Sequence, residues 1–235
     1  LGVDGGKNGF VAFQSIGKFD TSFSIIFFIT SLLIFDSLKR NQFSNNDFHL
    51  IVLLSLFAFQ LKVFGVYLAL PLIYYLYYYT INFSKLFKKI YPYLMLFLLW
   101  VTKSLINTAC LIYPIGFTCF KNLEWYTVGW VEHLIKDVRI FHKSYNFDES
   151  FFTWFSEWKS FGENNTTFIN FLVSLIFVLL TSLIFSKRKN IFSKVNLIFY
   201  MYVLFLIFIW LYSSPEIRFG ISIFLLIVTV IASST

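Results

Sequence analysis

Long uninterrupted apolar runs, separated by short polar links, dominate the pattern of the chain. They show neither the alternation of a half-buried strand nor the narrow stripe of a helix on a soluble core. Runs of about 20 apolar residues match the ~30 Å hydrocarbon core of a bilayer. The pattern predicts an all-α, polytopic helical integral membrane protein with about seven spans, at residues 21–38, 48–60, 63–79, 90–107, 167–185, 196–213 and 219–233.

The stretch His49–Tyr79 is long for one span, and polar residues lie at its centre. Gln60 and Lys62 stand there, close to Gly65. A lysine in the middle of a bilayer costs about 2.5–3.5 kcal/mol or more, and a turn at the membrane surface avoids that cost. We therefore predict two short helices joined by a turn at Lys62.

The basic residues favour the same division. With two helices in this stretch, nine Lys or Arg fall in three links on one side of the membrane, as is typical of cytoplasmic links. The segment 107–166 then lies on the outer side. The net charge of +7 is therefore assigned to membrane orientation, and no nucleic-acid partner is expected. The nine residues are Lys39, Arg40, Lys85, Lys88, Lys89, Lys187, Arg188, Lys189 and Lys194.

Composition excludes a water-soluble globule. Only 13% of the residues are charged and 58% are hydrophobic, whereas soluble domains carry about 25% charged residues. Because the chain begins at Leu1, we expect an internal fragment of a longer protein. Its predicted parts are residues 1–106, with the N-terminal transmembrane helices, the extracytoplasmic loop 107–166, and residues 167–235, with the C-terminal transmembrane helices.

The outer segment contains both cysteines, Cys110 and Cys119. Two nearby cysteines on an extracytoplasmic face suggest a disulfide; the alternative is two unpaired thiols near the membrane surface.

Four of the six tryptophans also lie in this segment, including Trp125, Trp154 and Trp158. Trp154 and Trp158 share one face if they lie on a helix. The tryptophans are candidates for stacking a sugar ring or lipid carrier, or they form an aromatic belt at the headgroups. His133 and Asp137 have helical i, i+4 spacing, which suits a metal ligand pair or an acid–base pair, but charged residues on a solvated helix produce the same spacing by chance. We expect no metal site and no cofactor.

Three charged residues lie in or beside predicted spans: Lys62 at the predicted turn, Lys103 near the outer end of its span, and Arg218 just before the last span. Ionisable residues at membrane depth indicate function, and together they predict a cationic, outward-facing cavity for a phosphate-bearing lipid. The alternative is that each head group snorkels to the membrane surface. Glu216 is a local salt-bridge partner for Arg218 and a further candidate for substrate binding.

Asp20 is the best-placed carboxylate for general-base chemistry, because it lies at the outer mouth of the first predicted span. The alternative is an ordinary acidic residue at a helix N-terminus.

Three short motifs resemble a known group of proteins. The run Ile106-Asn107-Thr108-Ala109-Cys110-Leu111-Ile112-Tyr113-Pro114, followed by Cys119 and Trp125, resembles an outer-loop signature of bacterial multi-pass membrane proteins. These proteins are related, as a poorly characterised branch, to the GT-C glycosyltransferase superfamily. The Leu61-Lys62 turn and Ser214-Pro215-Glu216-Ile217-Arg218-Phe219 at the start of a late span are similar to features of that superfamily.

The resemblance implies a GT-C-like fold in the bacterial inner (cytoplasmic) membrane. It also implies transfer of a sugar from a polyprenyl-phosphate donor to a cell-envelope acceptor on the outer face. A carboxylate would deprotonate the acceptor hydroxyl, while Lys62 and Arg218 would neutralise the departing phosphate. A key acid is expected in a first outer loop that precedes Leu1. The alternatives are a polysaccharide polymerase, flippase or transporter of lipid-linked glycans, and a non-catalytic scaffold.

Overall fold

The computed structural model describes residues 20–79, 83–126, 129, 131, 150–160, 165–166, 168–170, 172–173, 176–177, 180, 193–213 and 217–234. The described elements are α1 (Asp20–Arg40), α2 (Asn45–Leu61), a 3₁₀ helix (Val63–Leu68), α3 (Ala69–Tyr79), α4 (Phe83–Thr108), a 3₁₀ turn (Gly116–Thr118), α5 (Phe151–Ser160), α6 (Lys194–Ser213) and α7 (Ile217–Ser234). Within these residues the fold is helical, as predicted, apart from one antiparallel bridge between Cys110 and Cys119.

The chain forms two compact units. The first comprises Leu1–Tyr79 and Thr167–Thr235, and the second comprises Thr80–Thr166. The first therefore contains α1–α3, α6 and α7. The second contains α4, the cysteine-containing segment and α5.

Helix α1 is the centre of the first unit, because it packs against α2, α3, α6, α7 and the 3₁₀ helix. Together with Thr30 and Ser31, its buried apolar side chains recur every three or four residues, the spacing that places side chains on one face of a helix. Large aromatic rings fill this core, so its stability depends on dispersion contacts and burial of apolar area. On α1 these buried residues are Phe23, Phe27, Ile34, Phe35 and Leu38.

Aromatic contacts fix the directions of the helices. The Phe35 ring, near the end of α1, lies 4.8 Å from the Phe199 ring, near the start of α6, so these two helices are antiparallel. Helix α3 returns along α2, because the Tyr79 ring stacks on Phe48 at 4.6 Å. The Tyr79 hydroxyl also donates a hydrogen bond of 2.6 Å to Asn45 Oδ1.

The predicted turn at Lys62 is confirmed. Helix α2 ends at Leu61, Lys62 has extended backbone angles (φ −150°, ψ 138°), and a 3₁₀ helix begins at Val63. The turn from α1 to α2 is local: Ser44 Oγ accepts a hydrogen bond of 3.0 Å from the Asp47 N–H, which caps the N-terminus of α2.

Three described helices are long and apolar enough to cross a membrane, namely Ser22–Arg40, Ser84–Thr108 and Lys194–Leu211. Shorter apolar helices cover Val63–Tyr79 and Ser222–Ile231. The expected span at 167–185 lies largely outside the described residues. Of the seven predicted spans, three thus have the length and composition of a complete membrane crossing in the described part of the chain.

Candidate functional site

The turn at Lys62 is held by contacts between the two chain segments that meet there. The Lys62 N–H donates to the Ala58 carbonyl oxygen at 3.1 Å, and the Lys62 carbonyl oxygen accepts from the Gly65 N–H at 2.8 Å. A Cβ atom on Gly65 would lie 2.5 Å from the Phe59 backbone nitrogen and 2.6 Å from the Ala58 carbonyl carbon. Only glycine allows the 3₁₀ helix to approach the last turn of α2 so closely.

Several aromatic rings lie next to the turn at Lys62. The Lys62 Nζ atom is 5.9 Å from the centroid of the Phe23 ring, within the range of a cation–π contact. The Phe64 ring lies 6.4 Å from Phe23 and 4.8 Å from Tyr67. We call the rings of Phe23, Phe27, Phe64, Tyr67 and Phe205 the Phe64 cluster; Phe27 is 6.5 Å from Phe64, and Phe205 is 5.7 Å from Tyr67.

The Phe64 cluster provides a low-polarity surface beside a cation. Phe23 and Phe27 are buried, whereas Lys62, Phe64 and Tyr67 are half-buried. Coulomb attraction between a cation and an anion is stronger where water is partly excluded. The arrangement can therefore hold an anionic group near Lys62 and an apolar group against the rings.

Two further predicted residues have backbone positions at the same end of the first unit. Helix α1 begins at Asp20, one turn before Phe23. Helix α6 runs antiparallel to α1 and ends at Ser213, and α7, which contains Arg218, begins at this end at Ile217. The structure thus brings the backbones of Asp20, Lys62 and Arg218 to one end of the helices. The side chains of Asp20 and Arg218, and the whole of Glu216, lie outside the described part of the chain.

The other end of the first unit is basic. There Arg40 Nε pairs with Asp36 Oδ1 at 2.8 Å, and Lys39 Nζ lies 5.8 Å from the centroid of the Phe35 ring. Lys194 begins α6 at this end. Among the residues of the first unit whose side chains the structure describes, the Lys and Arg residues therefore lie at two opposite ends, with Lys62 at one and Lys39, Arg40 and Lys194 at the other.

Lys103 lies in the second unit, near the C-terminal end of α4, and its side chain is exposed. Beyond Lys103, the end of α4 leads into a disulfide hairpin, which we define as Ala109–Phe120. Cys110 and Cys119 are bonded and face each other across an antiparallel bridge. The Leu111 N–H donates to Thr118 O at 3.0 Å, and the Phe120 N–H donates to Ala109 O at 2.8 Å. This pattern makes the cysteines a non-hydrogen-bonded pair, in which facing side chains are closest.

Trp125 has a structural contact at the base of the hairpin. Its Nε1–H donates to the Leu105 carbonyl oxygen at 3.1 Å. The same oxygen accepts from the Ala109 N–H at 2.9 Å, and Ala109 has a left-handed backbone (φ 58°), as is common at the residue after a helix. The Trp125 ring remains about half exposed at 51%. Its indole nitrogen is thus engaged in closing the end of α4, while its ring face stays accessible.

The other predicted residues of the outer segment are described only in part. Trp154 and Trp158 lie on α5 with the predicted i, i+4 spacing, and their side chains lie outside the described residues. His133 and Asp137 also lie outside them. Among the described residues, no group of three or more His, Cys, Asp or Glu side chains is arranged to bind a metal ion.

Neither the packing role of Gly65 nor the Phe64 cluster was predicted from the sequence as part of the site. Gly65, three residues after Lys62, was a usable signal, because a glycine beside a predicted turn indicates a close backbone approach. Nothing local marked Phe23 or Phe205, since they reach the cluster only through the packing of α1 and α6.

Comparisons with known proteins give a family. The model of a family described as a domain of unknown function (DUF8201) matches residues 16–225. No curated protein and no solved structure matches the chain. Because the family model covers most of the sequence, including α1–α6 and the disulfide hairpin, the protein belongs to the DUF8201 family.

Proposed function

We propose that the protein is a polytopic integral membrane protein in which all seven apolar segments cross the bilayer. The support is the exposed apolar surface of its helices, because soluble monomeric proteins rarely expose large continuous apolar surfaces to water. Helix α4 has no buried position in its most apolar window. Its exposed apolar side chains occupy consecutive positions, which point to different faces of a helix: Leu94, Met95 and Leu96, then Leu98 and Leu99.

The proposed location is the inner membrane of a bacterium, with the basic end of the first unit in the cytoplasm. Lys39, Arg40 and Lys194 support this orientation through the positive-inside rule. Helix α3 presents exposed tyrosines toward its C-terminal end, including Tyr77 and Tyr78, as membrane-interface belts do. The Lys62 end and the loop 107–166 then face outward, where a disulfide persists.

At the outward end we propose a GT-C-like glycosyltransferase site. Its substrate is a polyprenyl-phosphate-linked sugar, and no cofactor takes part. Asp20 would accept the proton of the acceptor hydroxyl as that oxygen attacks the anomeric carbon. The bond between this carbon and the phosphate oxygen breaks, and Lys62 and Arg218 receive the polyprenyl phosphate that leaves. Lys103, Glu216, Trp125, Trp154 and Trp158 remain candidates for substrate binding.

The observation that carries this proposal is the position of Lys62. Its ammonium group lies over Phe23 at a helix break, and the Phe64 cluster beside it is apolar. A phosphate joined to a hydrocarbon chain needs a cation and an apolar surface next to each other. The backbones of Asp20 and Arg218 lie at the same end, and the proposal assigns the two other roles in the transfer to their side chains.

Transfer of radiolabelled sugar from a polyprenyl-phosphate donor by the full-length protein in proteoliposomes tests the proposal. Lys62→Ala should lower the rate by about 10²-fold or more, the usual loss when one group that stabilises developing charge is removed. Lys62→Arg should retain much of the rate, because it keeps the charge. Lys39→Ala, at the opposite end of the first unit, is the control and should leave the rate unchanged. Full activity of Lys62→Ala would contradict the proposal.

A flippase, transporter or polymerase of lipid-linked glycans is the second candidate. It is favoured by the short α2 and α3, which the extended Lys62 and a 3₁₀ helix separate, because broken helices line the substrate sites of many transporters. The same proteoliposomes separate the two functions. Movement of the labelled lipid between leaflets without sugar transfer would support the transporter, and growth of a glycan chain on the lipid would support the polymerase.

A further inference from the structure

The disulfide hairpin contains no charged residue. Its twelve residues, Ala109–Phe120, include no Asp, Glu, Lys, Arg or His, and the first charge after it is Lys121. The hydroxyl of Thr118 is bound inside the loop, 2.7 Å from the Ile115 carbonyl oxygen, and it accepts from the Ile112 N–H at 3.2 Å. The side chains of the hairpin therefore offer water few sites for hydrogen bonding.

The backbone of the hairpin is also largely satisfied from within. Across the loop, N–H groups donate to carbonyl oxygens or to the Thr118 hydroxyl, and none of these contacts requires water. Such internal pairing is the condition under which a non-helical segment can enter an apolar environment. The donors are Leu111, Ile112, Ile115, Thr118, Cys119 and Phe120.

Although the disulfide and the internal hydrogen bonds hold the loop together, two of its large apolar side chains are exposed. Phe117, in the 3₁₀ turn at the tip, is 90% exposed, and Phe120 is 50% exposed. By contrast, Ala109 and Cys110 at the base are fully buried. The hairpin thus presents an aromatic ring on a cross-linked loop that cannot easily fold back to cover it.

The hairpin is fixed to the end of a helix of membrane length. Helix α4 has 26 residues, or about 39 Å at 1.5 Å per residue. In the proposed membrane-spanning position, this length would carry its last turn to the headgroup level of one leaflet. Trp125 Nε1 and Ser104 Oγ tie the base to this turn, through the carbonyl oxygens of Leu105 (3.1 Å) and Cys110 (2.9 Å). The tip is therefore held at a set distance from the end of α4.

We propose that the hairpin is an interfacial anchor, which inserts the Phe117 ring into the boundary between headgroups and acyl chains at the C-terminal end of α4. The partner is the lipid leaflet, because the hairpin directly follows α4, whose apolar side chains are exposed at most positions from Leu94 to Leu99 and again at Ile106, and because it carries no charge for a polar partner to recognise. Aromatic residues are enriched at this depth. The inference rests on the proposed membrane insertion of α4, and it does not depend on sugar transfer.

Depth measurement by electron paramagnetic resonance tests the anchor. A keto amino acid placed at position 117 of the full-length protein takes a nitroxide label without disturbing the disulfide. The protein is reconstituted in vesicles of phosphatidylcholine and phosphatidylglycerol, and collisions with oxygen and with a water-soluble nickel chelate are compared. Matched labels replace Leu98, an exposed residue in the middle of α4, and Asn122, an exposed polar residue just after the hairpin.

The label at 117 should collide with oxygen more, and with the nickel chelate less, than the label at 122. Equal access to the chelate at 117 and 122 would place the tip in water and overturn the anchor, and shielding from both reagents would indicate a protein contact and overturn it as well. The label at 98 separates the two proposals. If that label is in lipid while 117 is in water, the anchor fails and membrane insertion stands; if 98 is in water, both fail.

Discussion

The turn at Lys62 and the disulfide hairpin both redirect the chain at the end of an apolar helix, but different interactions hold them. The Lys62 turn depends on Gly65, which has no side chain to separate the two segments, and on aromatic rings of α1 and α6. The hairpin depends on a covalent bond and on hydrogen bonds among residues 104–125. The first is fixed by packing with distant parts of the sequence, and the second by its own neighbours. A substitution in the Lys62 turn should therefore destabilise more distant parts of the chain than a substitution in the hairpin.

The largest effect is expected for Gly65→Ala. Its new Cβ would meet the α2 backbone at 2.5–2.7 Å, and backbone atoms cannot move aside as a flexible side chain can. We expect a loss of about 3 kcal/mol, at the upper end of typical overpacking costs, measured as a lower midpoint of thermal unfolding in detergent.

Gly116→Ala in the hairpin is the matched control for that experiment. Its Cβ would lie 3.6 Å from Val131 Cγ1, an ordinary contact, so the midpoint should hardly change. Equal losses of stability in Gly65→Ala and Gly116→Ala would contradict the inference that close backbone packing holds the Lys62 turn but not the hairpin.

Replacing both hairpin cysteines by serine should have the next largest effect. Closure of a loop of this size stabilises by about 2–3 kcal/mol in the chain-entropy model. We expect local protection from protease near residues 109–120 to fall, while the first unit keeps its unfolding midpoint. Reduction of the unmodified protein should reproduce the result, and a reductant-sensitive first unit would contradict the local character of the hairpin.

The smallest effect is expected for Trp125→Phe, which keeps an aromatic ring and removes one N–H donor. The Leu105 carbonyl oxygen retains the Ala109 N–H, so the loss should be about 1 kcal/mol, the usual net value of one hydrogen bond. This loss of stability should be measurable as faster amide hydrogen exchange in the last turn of α4. No change in that exchange would show that the indole contact does not close the helix end.

The sequence predicted the parts of the fold that depend on local pattern. The helical class follows from the length of the apolar runs, and the break at Lys62 follows from the cost of a lysine within a span. The Cys110–Cys119 pair was also suggested by short spacing, and the structure contains that bond. Each of these features is decided by residues close together in the chain.

The candidate site was less accessible to sequence analysis, because its parts come from separate helices. Lys62 was singled out by its charge, but its contact with Phe23 requires α1 and α2 to pack antiparallel. Phe205 reaches Tyr67 only after α6 has taken its place beside α3. Because the chain has 33 phenylalanines, the residues around each one do not show which of them form the Phe64 cluster.

The central position of α1 has a consequence for biosynthesis. Two of its partners, α6 and α7, follow all the other described helices in the sequence, so the ribosome releases α1 long before they exist. Until then the surface of α1 that packs against α6 and α7 in the finished fold is not covered by these helices. Nascent chains halted before α6 should therefore be the forms that insertion chaperones retain and quality-control proteases remove.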